Sequence, residues 1–119
     1  MKYDLEERLL NFSKNILDFC VSNSKNFVLQ PVLNQLLRSA TSIGANYNEA
    51  NETDSHKEFL NIIRISKKEA RECNYWLKIL DSSSKVNKAE NLRILLKESE
   101  EICKIISSIY YNSKAKLKK

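Results

Sequence analysis

The chain has 119 residues, with 20 Lys and Arg against 15 Asp and Glu, a net charge of +5, 42% apolar residues, one Gly, one Pro, three Cys and one His. That length sets a ceiling of one domain, and the apolar share is enough for a core without disulfide staples, which argues against disorder. One Gly and one Pro cannot punctuate a sandwich, a barrel or a doubly wound sheet, so the composition leaves an all-α fold.

Four of the cations, Lys114, Lys116, Lys118 and Lys119, sit in the last six residues; without them the chain holds 16 cations against 15 acids. Affinity for nucleic acid or an anionic surface must then come from where charges lie, not from their sum. The opening MKYDLEERLL carries Asp4, Glu6 and Glu7 where a secretory signal needs a basic start and an unbroken apolar run. No apolar stretch approaches the ~20 residues of a membrane span, so no membrane partner is expected. Cys20, Cys73 and Cys103 are odd in number, far apart and flanked by apolar residues, the pattern of reduced core thiols in a cytoplasm.

Apolar spacing predicts four helices. In residues 4–23, Leu5, Leu9, Phe12, Ile16, Phe19 and Cys20 recur at intervals that keep to one face, before the polar run Ser22, Asn23, Ser24 and Asn26. The second helix is expected over about residues 29–53, with Pro31 in its first turn, where a missing N–H costs nothing. Leu33, Leu36, Ala40, Ile43, Tyr47 and Ala50 form its apolar face. Gly44, the chain's one glycine, falls in mid-helix at a cost of ~1 kcal/mol relative to Ala, and a closely approaching neighbour is the expected compensation.

Ser55-His56-Lys57-Glu58 has the form of a capping box and opens a third helix, with Phe59, Ile63, Ser66, Ala70, Cys73, Leu77 and Leu80 facing inward. It should stop in the serine-rich stretch 81–85. Asn87 with Glu90 repeats the capping logic more weakly and leads into a fourth helix carrying Leu92, Leu95, Leu96, Ile102, Cys103, Ile106, Ile109 and Tyr110. Similar lengths and short joints favour an antiparallel up-down four-helix bundle over residues 1–113, followed by a basic tail, 114–119.

The remaining faces are less uniform. Tyr3, Leu10, Leu17 and Val21 form a second apolar stripe on the first helix, which is either a subunit interface or is covered by neighbouring helices or the joint at residues 25–30. On the third helix Lys57, Arg64, Lys67, Lys68, Arg71 and Lys78 fall within an arc of about 100°, with Tyr75 among them, while Glu58, Glu69 and Glu72 lie on the flank nearer the apolar face. Cations in a line, with an aromatic to stack on, suit a phosphate backbone; a solvated face is the bland alternative. Glu69 falls among Ile62, Ile65, Cys73 and Trp76 and needs a partner, for which structural pairing is favoured over catalysis. On the second helix Arg38, Ser42, Ala45 and Glu49, with Asn46 alongside, make a polar row that could dock a protein partner or simply face solvent.

Signals for an enzyme or a cofactor are poor. His56 stands alone, residue 53 is Thr where a di-iron Glu-x-x-His pair would need Glu, no Cys-x-x-Cys occurs, and there is no glycine-rich phosphate loop. No metal and no cofactor is expected.

RSATSIGANYNEA, residues 38–50, together with SHKEFLNIIRISKKEARECNYWLKIL, residues 55–80, resembles the bacterial four-helix-bundle family encoded by intervening sequences of 23S ribosomal RNA genes, some of whose members carry the label S23 ribosomal protein. The matching positions are Arg38, Ser42, Ile43, Asn46 and Glu49 on the second helix and Ser55, Phe59, Glu69, Tyr75, Trp76 and Leu77 on the third. This chain departs from the pattern at Gly44 or Ala45, where many relatives have Pro, and at Ser66, where they have a small alanine. The resemblance implies a cytoplasmic bundle, commonly a ring-like pentamer, related to the accessory protein of diversity-generating retroelements, which binds nucleic acid and a reverse transcriptase. It implies no ribosomal role. It also places Arg38 and Glu69 in one recurring set, which makes Arg38 the leading candidate partner for the buried acid. The expectation is thus a non-enzymatic homo-oligomer that binds RNA or DNA through the third helix's basic face together with the lysine tail, with a protein-docking scaffold built on the second helix's row as the alternative.

Overall fold

The computed structural model describes residues 2–83 and 90–117, with side chains over 4–83 and 91–117. Four helices, α1 (Lys2–Ser22), α2 (Gln30–Asn51), α3 (His56–Ser82) and α4 (Glu90–Leu117), account for most of it, and a 3-10 turn, Phe27–Leu29, leads into α2. The predicted joint at 25–30 therefore has structure of its own. Asn26 accepts from the Leu29 N–H at 3.3 Å and caps the turn, and Leu29 is buried beneath it. The Ser55 hydroxyl likewise accepts from the Glu58 N–H at 3.1 Å and starts α3. The expected cap at Asn87 and Glu90 and the side chain of Tyr3 lie outside the described residues, as do Lys118 and Lys119. Lys114 and Lys116, expected in a tail, belong to the last turns of α4, where cations favour the negative end of the helix dipole.

Each helix packs on the next and α1 closes the ring against α4, giving a rod of 50 × 23 × 21 Å. Contacts along the helices run in opposite order, as an up-down arrangement requires. Proceeding along α1, Leu9 meets Gly44, Ser13 donates to the Ala40 carbonyl at 3.4 Å, and Cys20 to the Leu33 carbonyl at 3.6 Å. Between α2 and α3, Ser66 donates to the Ile43 carbonyl at 2.9 Å. Between α3 and α4, Cys103 donates to the Ala70 carbonyl at 3.3 Å and Asn74 to Ser99 Oγ at 3.3 Å. Near the bundle's end His56 Nε2 lies 2.8 Å from the Ser113 carbonyl, tying the start of α3 to the end of α4. The recurring device is a small polar side chain that uses the spare lone pair of a neighbouring helix's carbonyl, which demands close approach. Ser66 is buried at such a contact; Ser39, which donates to the Leu36 carbonyl of its own helix at 3.1 Å, and Ser99, which accepts from Asn74, are buried too, and among the described residues no buried side-chain nitrogen or oxygen lacks a partner.

The core is the set read from the spacing, with adjustments at its edge. Phe59, Leu96, Cys103 and Ile109 are half-buried, and Leu60 and Ser113 join the buried group. Burial pushes the Cys73 thiol up to about 12 and the Cys20 thiol to about 11, and raises Cys103, so these sulfurs stay protonated and poorly nucleophilic at neutral pH.

A Cβ added at Gly44 would stand 3.3 Å from Leu9 Cβ, an atom bonded directly to the α1 backbone that moves only with the helix. The penalty of mid-helix glycine is thus offset by packing. Gly44→Ala should forgo the ~1 kcal/mol propensity gain and lower the denaturation midpoint, whereas Ala45→Gly, exposed on the same turn, should lose about that propensity term. Urea melts of the two variants against the parent check the pair. A Gly44→Ala midpoint raised by the full propensity gain would contradict the close approach.

Candidate nucleic-acid interface

Burial of Ile63, Ser66, Ala70, Cys73, Leu77 and Leu80 fixes the rotation of α3 and so decides which side chains face outward. Lys57, Arg64, Lys68, Arg71, Tyr75 and Lys78 are exposed and Lys67 is half-buried, so the stripe forms a face. None of its six cations is ion-paired with a carboxylate among the described residues. The ion pairs there fall elsewhere, at Arg8–Glu98, at Arg38 with Glu69 and Glu72, and at Lys104–Glu101.

The structure widens this face across the groove to α4. Lys67 Nζ lies 5.5 Å from the ring centre of Tyr110 and 5.4 Å from that of Tyr111, and Lys114 Nζ lies 5.8 Å from Tyr110, distances at which a cation is attracted to an aromatic ring. Hydrogen bonding to Arg64, then the charges of Lys114, Arg64 and Lys67, hold the Tyr110 phenol below its ordinary pKa against an opposing contribution from burial. Farther along, Arg71, Asn74, Tyr75, Lys78 and Cys103 line a shallow groove of about 330 Å³. Arg71 and Lys78 both favour the Cys103 thiolate, while Glu100 is an acid acting there in the opposite sense. Sequence reading missed Tyr110 and Tyr111 as members of this face and expected Lys114 to contribute from a tail, not from a helix packed beside α3. The spacing of Tyr110, Tyr111 and Lys114 on α4 was visible; which α3 cations they meet depends on the register between the two helices.

The other candidate surfaces look different. Arg38 Nη1 donates to Glu69 Oε2 at 2.7 Å, its Nη2 bonds Glu72, and its Nε donates to Gln35 Oε1 at 3.2 Å. Trp76 Nε1 also donates to Glu72, at 3.4 Å. On the same row Ser42 donates to the Arg38 carbonyl at 2.7 Å and Asn46 to the Ser42 carbonyl at 2.8 Å, which leaves Glu49 and Ala45 as its open members. On α1, Leu10, Leu17 and Val21 are 55%, 47% and 63% exposed, so the chain's own joint does not cover them. The 3-10 turn adds Phe27 and Val28 to the exposed apolar surface at the same end of the bundle.

A concavity of about 660 Å³ between α1 and α4 is bordered by Asp4, Glu7, Glu98 and Glu101, with Lys97 also at its edge. Arg8 spans it with two 2.7 Å bonds to Glu98, one from Nε and one from Nη2. Its acids would repel a polyanion, and the fork-to-fork pair ties together two helices that otherwise pack sparsely. Among the described residues no cluster of His, Cys, Asp and Glu is placed to hold a metal ion, and no helix is long and apolar enough to cross a membrane.

The Glu69 side chain is only 8% exposed and Arg38 is 47% exposed, so the two ends of this pair are unequal. Removing Glu69 leaves a cation that keeps Glu72 and reaches water, whereas removing Arg38 leaves a buried carboxylate alone. Glu69→Ala should therefore cost about 1 kcal/mol and Arg38→Ala about 2 to 3 kcal/mol, short of the full cost of breaking a deeply buried pair. Denaturant melts of the single and double variants measure this asymmetry, and equal costs would contradict it.

Comparison with known proteins bears on the whole bundle. No curated protein matches the chain. A crystal structure from Bacteroides thetaiotaomicron VPI-5482, described as a protein with unknown function from the S23 ribosomal protein family, is 36% identical, with the alignment covering 88% of this chain and 96% of that one at a TM-score of 0.75. The family model described as 23S rRNA-intervening sequence protein matches residues 2–108. The description of that family names no reaction. The chain belongs to the 23S rRNA-intervening sequence protein family.

Proposed function

We propose that this protein is a non-enzymatic, cytoplasmic homo-oligomer that binds RNA or DNA across the outer faces of α3 and α4. One observation carries the reading: six cations in line on α3, unpaired with any carboxylate among the described residues, continue over the groove to the tyrosines and Lys114 of α4. A solvated face needs cations but gains nothing from aromatics beside them. A strand needs both, since phosphates seek the cations and unstacked bases seek the rings. With the globule otherwise near neutrality, position rather than net charge supplies the attraction.

The exposed Leu10, Leu17 and Val21 support self-association, because an apolar stripe left on a helix after its core face is buried favours a second burial surface. A pentamer is the assembly we favour, with the cationic faces repeated around it. The scaffold reading, built on Arg38, Ser42, Asn46 and Glu49, is weaker because three of these four already spend hydrogen bonds within the chain.

Fluorescence anisotropy with a structured RNA and a duplex DNA at two salt concentrations tests the binding, and light scattering tests the assembly. The parent should bind with affinity that falls steeply with salt, and Arg64→Glu, Lys68→Glu and Arg71→Glu together should weaken binding by at least about tenfold. Unchanged affinity in the triple variant would move the function to the row on α2. A monomer at tens of micromolar would overturn the oligomer.

A further inference from the structure

Within the proposed interface, one point concentrates charge more than the rest. Arg64 and Lys67 reach it from α3 and Lys114 from α4; all three act on Tyr110, and Tyr111 lies under Lys67. Like charges brought together repel, and here no carboxylate among the described residues is paired with any of the three. The two rings hold the lysines in place by the attraction of their faces for a cation, but they do not neutralise them. The side chains are held near one another before any ligand arrives, and the charge they gather is positive throughout.

We propose that Arg64, Lys67, Lys114 and the Tyr110 hydroxyl form a seat for one phosphate group of a bound nucleic-acid strand, the fixed point from which the strand runs along α3 toward Arg71 and Lys78. This rests on the nucleic-acid reading above and adds to it a location and a register. An arginine supplies paired donors to phosphate oxygens, two ammonium groups supply charge, and the phenol supplies a further donor. The flat ring of Tyr111, exposed beside Lys67, offers the adjoining base a stacking surface. The lowered phenol pKa comes from the same groups, first from hydrogen bonding to Arg64 and then from the charges of Lys114, Arg64 and Lys67. Tyr110, Tyr111 and Lys114 lie beyond residues 2–108, the span the family model matches, so the seat is assembled partly from this chain's own last turns.

Two titrations test it. In the first, inorganic phosphate is added at constant ionic strength to full-length protein carrying ¹³C-labelled tyrosine rings. The ring signals of Tyr110 and Tyr111 should shift to saturation. Arg64→Gln with Lys114→Gln should weaken that response at least about tenfold, Lys114→Gln alone should weaken it less, and Lys78→Gln should leave it unchanged. In the second, a single-stranded RNA oligonucleotide is titrated over a salt series, and the double Gln variant should lose about one unit from the slope of log K against log salt. Tyrosine signals indifferent to phosphate, or an unaltered slope with RNA still bound, would overturn the seat while leaving the wider interface standing. Saturable phosphate binding at Tyr110 with no RNA affinity in the parent would instead remove the nucleic-acid reading and leave an anion site of another use. Both substituted residues are exposed, and the parent's melting curve serves as the check that each variant is folded.

Discussion

The close approach of α2 to both of its neighbours at Ile43 and Gly44 sets the register of the bundle. On one side the missing side chain of Gly44 admits Leu9 of α1; on the other the Ile43 carbonyl receives the Ser66 hydroxyl of α3. A hydrogen bond to a carbonyl fixes both the height and the rotation of the helix that donates it, because the acceptor has a direction. With Ser66 held there, the next turn of α3 brings Glu69 beside Arg38, and the opposite side of α3 is left to carry Lys57, Arg64, Lys68 and Arg71 into solvent. The ion pair and the cationic face are two consequences of one docking geometry.

This geometry also divides the surface electrostatically. Acids gather along the α1–α4 cleft and between α2 and α3, where Arg8 and Arg38 neutralise them, and the α3–α4 face is left mainly with cations and tyrosines, Glu100 being an acid near its Arg71–Lys78 groove. Segregation of this kind directs a polyanion to one side of a protein whose body is close to neutral. It also explains why the α1–α4 concavity is a poor candidate for that ligand, since a cleft edged by Asp4, Glu7, Glu98 and Glu101 carries the wrong sign.

The fold was legible because helix periodicity is a local property: Leu33, Leu36, Ala40 and Ile43 announce a buried face whatever packs on it. Glu69 was legible for the same reason, since an acid among apolar neighbours on one helix demands a partner. The 3-10 turn at Phe27–Leu29 was not, because three residues show no periodicity and its cap is a single Asn26 bond. The α4 half of the cationic face was hidden for a different reason. Lys67 and Tyr110 are 43 positions apart, and only the α3–α4 register brings them within 5.5 Å. Lys114 was read as tail because its lysine-rich surroundings mask the helical turns that hold it against Tyr110.

The proposed function stands or falls on whether the α3–α4 face receives nucleic acid, and chemical-shift mapping of backbone amides during titration with a short single-stranded RNA observes that face directly. The perturbed amides should cluster on the outer turns of α3 from Lys57 to Lys78 and on α4 around Tyr110, Tyr111 and Lys114, with the α2 row and the acid-edged α1–α4 cleft unchanged. Perturbations centred on Arg38 to Glu49, or RNA that leaves every amide where it was, would contradict it.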